Sequence, residues 1–103
     1  MQVRVGAGDS LAVGRLTIEL DAYRAHLADR ALVLTPAQFD LLAYLVRNRD
    51  RVVTRDELAV AGRLEHMHSV DVTLSSLRRV LGAGFIRNVR NRGWIIEPDA
   101  VSS

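Results

Sequence analysis

Two stretches of this chain open helices with the same device. In Leu34-Thr35-Pro36-Ala37-Gln38-Phe39, Thr35 can cap a helix and Pro36 suits its first position. Gln38 can return a bond to the backbone N–H of the cap, which completes a capping box. Leu34 and Phe39 stand where a hydrophobic staple would. Val53-Thr54-Arg55-Asp56-Glu57-Leu58 repeats the pattern, with cap Thr54, box partner Glu57 and staple Val53–Leu58. The first helix is expected to run to about Asn48, with Phe39, Leu42, Leu45 and Val46 facing inward. The second starts at Thr54 and ends near Ala61, where Gly62 can stop it. Asp56 and Glu57 suit the positive end of its dipole.

A third helix is expected over Ser69–Leu81. Val70, Leu74, Leu77 and Leu81 fall at i, i+4, i+7 and i+11, one face of a 3.6-residue period that must be buried. Ser69 reads as its N-cap, Asp71 as a first-turn acid, and Gly82 as the left-handed stop. The opposite face carries Val72, Ser75, Ser76 and Arg79, with Thr73 at its edge. It has no acid, and its mostly short side chains let a flat partner approach closely. An amphipathic core helix with a solvated back satisfies the same pattern. Two short helices, a loop and a longer third helix nevertheless follow the helix-turn-helix order, in which the last helix is the reader.

Strands are expected on either side of the helices. Leu16, Ile18 and Leu20 alternate with Thr17 and Glu19, the period of a half-buried strand. Val3 and Val5 alternate before Gly6-Ala7-Gly8-Asp9 breaks the run. Asp21-Ala22 can turn, and Tyr23–Ala28 and Ala31–Leu34 flank a possible turn at Asp29-Arg30. A small antiparallel sheet with one covered face is expected. Beyond the third helix, Phe85–Arg90 and Trp94–Glu97 flank Asn91-Arg92-Gly93, a hairpin whose glycine would supply the positive φ of the turn. Arg87, Arg90 and Arg92 gather at or beside its tip, where guanidinium groups can enter a minor groove or hold phosphates.

Charge is one-sided. Net charge is only +2, but residues 72–96 hold five of the 14 basic residues and no acid. Such a block points to a polyanion, most often nucleic acid. The absence of cysteine excludes a disulfide framework and thiolate chemistry, and it fits a cytoplasmic chain. No apolar run approaches the roughly 18 residues that span a bilayer, so no membrane partner is expected. No phosphate-cradling glycine loop is present, and three histidines, two of them on one short loop, make no credible catalytic triad. Glu65-His66-Met67-His68 does not close a metal site, and His26 stands alone, so neither metal nor cofactor nor catalysis is expected.

Leu34–Leu58, Ser69–Gly82 and Ile86–Pro98 together resemble the OmpR/PhoB-type winged-helix effector domain of bacterial response regulators. The resemblance covers residues 11–98, in the family's order, and marks a divergent member. It implies an α+β winged helix-turn-helix: an N-terminal antiparallel sheet, a three-helix core and a C-terminal β-hairpin wing. Residues 1–10 are then an N-terminal extension or extra strand, and residues 99–103 a polar tail. By the resemblance, the third helix reads the major groove of double-stranded DNA while the wing touches the minor groove and backbone. Direct repeats are commonly bound by head-to-tail dimers.

The family pattern places Val72, Thr73 and Ser76 at base-facing positions, with Arg79 in a basic position beside them. Val72 suits a thymine methyl. Ser69 and Arg78 fall at phosphate-contacting positions, and His68 stands where an arginine is usual. In the wing, Arg87, Asn88, Arg90 and Arg92 are expected on backbone or minor groove, with Trp94 in place of the usual tyrosine. Thr73, Ser75 and Ser76 replace longer basic or histidine residues, which removes bidentate guanine readout there. The loop Arg63–His68 lacks the Trp-Gly of relatives whose equivalent loop can touch RNA polymerase. The family's domain normally follows a phosphorylatable receiver, absent from these residues. The expectation is sequence-selective DNA binding by a bacterial two-component transcription regulator. The alternative is a winged helix that binds a protein, which would carry an apolar patch where the arginine block lies.

Overall fold

The computed structural model describes residues 10–82 and 84–97. Four short strands come first: β1 (Ser10–Val13), β2 (Leu16–Glu19), β3 (Arg24–Leu27) and β4 (Arg30–Leu32). They form an antiparallel meander in chain order. Helices α1 (Pro36–Arg47), α2 (Arg55–Ala61) and α3 (Met67–Leu81) follow, and β5 (Ile86–Val89) and β6 (Gly93–Ile96) form a separate hairpin. This is the winged helix-turn-helix plan.

Alternation in β2 and β3 buries Leu16, Ile18, Ala25 and Leu27 on one face and leaves Thr17, Glu19 and His26 on the other. On that outer face Glu19 takes Arg24 at 3.2 Å and lies 3.6 Å from His26 Nδ1. The expected turn at Asp29-Arg30 sits one residue earlier. Ala28 takes φ +57° and donates its N–H to the Arg15 carbonyl at 2.8 Å, so Arg30 is free to pair with Leu27. The strand expected over Tyr23–Ala28 shortens accordingly to Arg24–Leu27, with Tyr23 at φ +52°. Ser10 already pairs with Glu19, so the sheet starts one residue before the expected boundary. The alternation at Val3 and Val5, the extension over residues 1–9 and the tail 99–103 lie outside the described residues.

Both capping boxes are formed. Gln38 N–H donates to Thr35 Oγ1 at 3.1 Å, and Thr35 N–H donates to Gln38 Oε1 at 2.9 Å. The corresponding distances at Thr54 and Glu57 are 3.1 and 3.0 Å. Phe39, Leu42, Leu45 and Val46 of α1 are buried, as are Val70, Leu74, Leu77 and Leu81 of α3. These two apolar stripes meet Leu58 of α2 and the inner residues Ile86 and Ile96 of the hairpin in one core.

Three expectations for α3 fail. It begins at Met67, not after Ser69, and the N-cap is His66, whose side chain makes no cap bond. The loop folds back at once, because Arg63 takes φ +55° and Leu64 N–H reaches the Ala59 carbonyl at 2.8 Å. Half-buried Leu64 is thereby pinned, and the cap falls three residues sooner, at His66 instead of Ser69. Ser69 lies inside the first turn, its N–H on the His66 carbonyl at 3.0 Å. Asp71 falls beyond that turn and faces α2 instead: Arg55 Nε lies 3.1 Å from Asp71 Oδ1. That oxygen is shielded from solvent without a well-aligned hydrogen bond, so the contact is ionic. Gly82 ends α3 with φ +101° and ψ 164°, a positive φ but not the left-handed helical geometry.

Glu57 does more than cap α2. Its carboxylate accepts from Arg51 at 2.5 and 3.1 Å and from the Tyr44 hydroxyl at 2.8 Å, tying α1, the following loop and α2 together. The Arg51 hydrogen bonds, and then the Thr54 N–H, hold the Glu57 carboxyl well below the usual carboxylate range. A carboxyl depressed in the folded chain stabilises it above its unfolded value, and that contribution is lost as pH falls. Thermal unfolding midpoints are therefore expected to drop as the solution is acidified below about pH 5. Glu57→Gln keeps a cap-competent side chain but removes the charge, so its midpoint should be lower at pH 7 and fall less in acid. Parallel curves for the two proteins would show that Glu57 contributes no such linkage.

Candidate nucleic-acid interface

The outward side of α3 presents Val72, 52% exposed, with exposed Ser75 and Arg79 and half-buried Thr73 and Ser76. The Ser76 hydroxyl donates back to the Val72 carbonyl at 3.0 Å and lies 3.2 Å from that of Thr73. At the start of the helix, His68 is exposed and Ser69 half-buried, beside first-turn N–H groups that no side chain caps.

The hairpin is held against the helices by backbone. Val53 N–H donates to the Trp94 carbonyl at 2.7 Å, and Trp94 N–H donates to the Val53 carbonyl at 2.8 Å. This corrects the role expected of Gly93. The tip is Arg90-Asn91-Arg92, and its positive φ, +63°, belongs to Asn91, with Arg92 N–H on the Val89 carbonyl at 2.9 Å. Gly93 pairs with Val89 as the first residue of β6. A Cβ there would sit 2.0 Å from the Val53 carbonyl oxygen. Gly93 has a positive φ of its own, +153°, as it enters β6, and glycine is required there for that conformation and for the close approach.

Outside the shared core, a cation–π contact also joins the third helix to the hairpin. The Arg78 guanidinium lies 5.4 Å from the centroid of the Trp94 ring, within the range of a cation–π contact. Next to it, Arg55 of α2 lines a groove with Arg90, Arg92 and Trp94. Arg79, Arg90 and Arg92 have no acidic partner among the described residues. Arg55 of α2 and the arginine-tipped hairpin thus line one cationic groove, with Arg78 of α3 over the Trp94 ring at its edge.

The family model described as "Transcriptional regulatory protein, C terminal" matches residues 29–96. The chain belongs to this family. It is similar to the alkaline phosphatase synthesis transcriptional regulatory protein PhoP of Bacillus subtilis, 34% identical over 96 residues, or 84% of this chain and 40% of the relative. It is also similar to the transcriptional regulatory protein QseB of Escherichia coli O157:H7, at 33% identity over 87% of this chain and 43% of the relative. The chain thus spans about two fifths of the length of these curated relatives. Among solved structures it resembles the Klebsiella pneumoniae RstA DNA-binding domain in complex with the RstA box. The TM-score is 0.79 at 30% identity, covering 87% of this chain and 98% of that one. The DNA-binding domain of CpxR from E. coli gives a TM-score of 0.77 at 26% identity over 86% and 96%.

Against the family's pattern, the site residues divide by what they are free to do. Val72, Thr73, Ser76 and Arg79 share the outward side of α3, and Arg90 and Arg92 flank the wing tip. Arg87 is exposed, but its Nε is engaged by Glu97 across the hairpin. The Asn88 amide donates to the Gly93 carbonyl at 3.0 Å and so stabilises the hairpin itself. Trp94 is half-buried with Arg78 over its ring. Arg55 was missed. Its sequence signal is its place right after cap Thr54, at the start of a helix that must abut α3, but the segment reads first as a capping box. Among the described residues, no three metal-ligating side chains cluster and no helix is long and apolar enough to cross a membrane.

Proposed function

We propose that this chain is the DNA-binding part of a bacterial transcriptional regulator and binds double-stranded DNA sequence-selectively. In this reading α3 lies in the major groove, with Val72, Thr73, Ser76 and Arg79 towards base edges. The wing tip lies along the minor groove and backbone, with Arg90 and Arg92 as its cations. His68, Ser69 and Arg78 are assigned to phosphates, Trp94 carries Arg78, and Arg55, held by Asp71, is assigned to the wall of the groove. Arg87 and Asn88 are assigned to holding the wing's shape, since Glu97 and the Gly93 carbonyl already occupy them.

The observation that carries this reading is the Arg78–Trp94 contact, which joins helix and wing beside the Arg55–Arg90–Arg92 groove. Arginine rather than an apolar patch at that junction favours DNA over a protein partner. The RstA box held by a relative of the same fold supports it. Head-to-tail pairing on direct repeats, and contact of the α2–α3 loop with RNA polymerase, enter the proposal from the family resemblance alone. A DNA partner puts the site of action in the bacterial cytoplasm.

Titration of mixed-sequence duplex tests the wing's part. Arg90→Ala is expected to weaken binding about equally for all sequences and to lower the slope of log affinity against log salt by about 1. An unchanged affinity and slope would remove Arg90 from the interface.

A further inference from the structure

The base-facing side of α3 carries a hydroxyl whose polarity the helix itself fixes. Among the described residues, the hydrogen bonds of Ser76 Oγ go to carbonyl oxygens, those of Val72 at 3.0 Å and Thr73 at 3.2 Å. A carbonyl can only accept, so the single hydroxyl proton points into the helix. Half-buried Ser76 then shows the partner its lone pairs and no proton. Four residues earlier on the same face stand the methyls of Val72, 52% exposed.

Each base edge in the major groove answers differently to an acceptor. Adenine and cytosine present an exocyclic amino group there, whereas guanine O6 and N7 and thymine O4 are acceptors. An acceptor facing an acceptor gains no hydrogen bond and leaves both groups unpaired. The long donors on this face, His68 in the first turn and Arg79 beside Gly82, stand at the two ends of the helix. The central turns therefore hold no long side chain that could take both guanine acceptors at once.

Building on the DNA-binding reading, we infer that Ser76 is a specificity-determining residue that accepts a hydrogen bond from the amino group of an adenine or cytosine and rejects guanine and thymine at that position. Val72 meets a neighbouring thymine methyl. At these two positions the helix thus selects an amino and a methyl group, not the acceptor pair of guanine.

Selection of duplexes from a random pool with the 103-residue chain supplies the probe. In the selected duplex, each adenine is replaced by purine and each cytosine by 2-pyrimidinone, which removes the amino group alone. One position is expected to lose about three- to tenfold in affinity for the parent, and to lose nothing for Ser76→Ala. Ser76→Thr, which keeps a hydroxyl, should retain the discrimination. Alanine favours helices, and a circular dichroism spectrum checks that the variant is folded. Adenine or cytosine at that position identifies which amino donor is read. If no amino-group deletion couples to Ser76 while a motif is still enriched, the inference is overturned and the DNA-binding reading stands. A pool that shows no enrichment overturns both.

Discussion

Gly93→Ala is expected to unseat the wing, lowering stability by about 2–4 kcal/mol, from overpacking and two lost hydrogen bonds. The added Cβ would lie 2.0 Å from the Val53 carbonyl oxygen, 2.8 Å from its carbon and 3.1 Å from Thr54 Cα. All three are backbone atoms, so no flexible side chain can give way. Relief requires separating β6 from Val53, which breaks both hydrogen bonds between Val53 and Trp94. Thr54 is also the cap of α2, so the disturbance reaches the helix that presents Arg55. Trp94, the only tryptophan, then loses its place beneath Arg78. Urea unfolding followed by tryptophan emission checks this in one experiment. A lower midpoint, a shifted folded-state emission and at least tenfold weaker DNA binding are expected. A midpoint and emission equal to the parent's would mean that the wing is not held through this contact.

DNA affinity is expected to fall roughly 40-fold between 50 and 200 mM salt, from about three phosphate-bound cations each releasing close to one counterion. Those cations are Arg78, Arg90 and Arg92. Arg51, Arg55 and Arg87 are left out because Glu57, Asp71 and Glu97 already hold them. Arg87→Ala should therefore keep nearly the parent slope, and the double variant Arg90→Ala/Arg92→Ala should lose about 2 from it. Binding that is indifferent to salt, or a slope that depends on Arg87 as much as on Arg90, would contradict the assignment of cations. The measurement needs no knowledge of the operator, because phosphate contacts are sequence-independent.

Local signals were readable where one residue type has one physical use. Thr35 with Gln38, and Thr54 with Glu57, announce helix starts because a box needs a hydroxyl and an amide or carboxylate three residues apart. The i, i+4, i+7, i+11 spacing of Val70 to Leu81 likewise named the buried face of α3. What depended on tertiary placement was less readable. The start of α3 moved to Met67 because Leu64 is drawn back onto α2, a pull invisible in the residues around Ser69. Gly93 looked like a turn glycine because the backbone that crowds it, Val53, lies 40 residues away. Glu57 looked like a cap alone, and its hold on Arg51 and Tyr44 needed α1 and α2 side by side. The arginine block showed the charge of the candidate interface, but not that Glu97 would engage Arg87 or that Arg55 would join from another helix.

That α3 and the wing form one surface for a duplex is tested most directly by recording backbone amide resonances while mixed-sequence DNA is added at low salt. The expected result is that the largest shifts fall on residues 66–79 and 87–94 and at Arg55, while β1 to β4 stay unmoved. Shifts gathered on the N-terminal sheet, or a spectrum that DNA leaves unchanged, would contradict it.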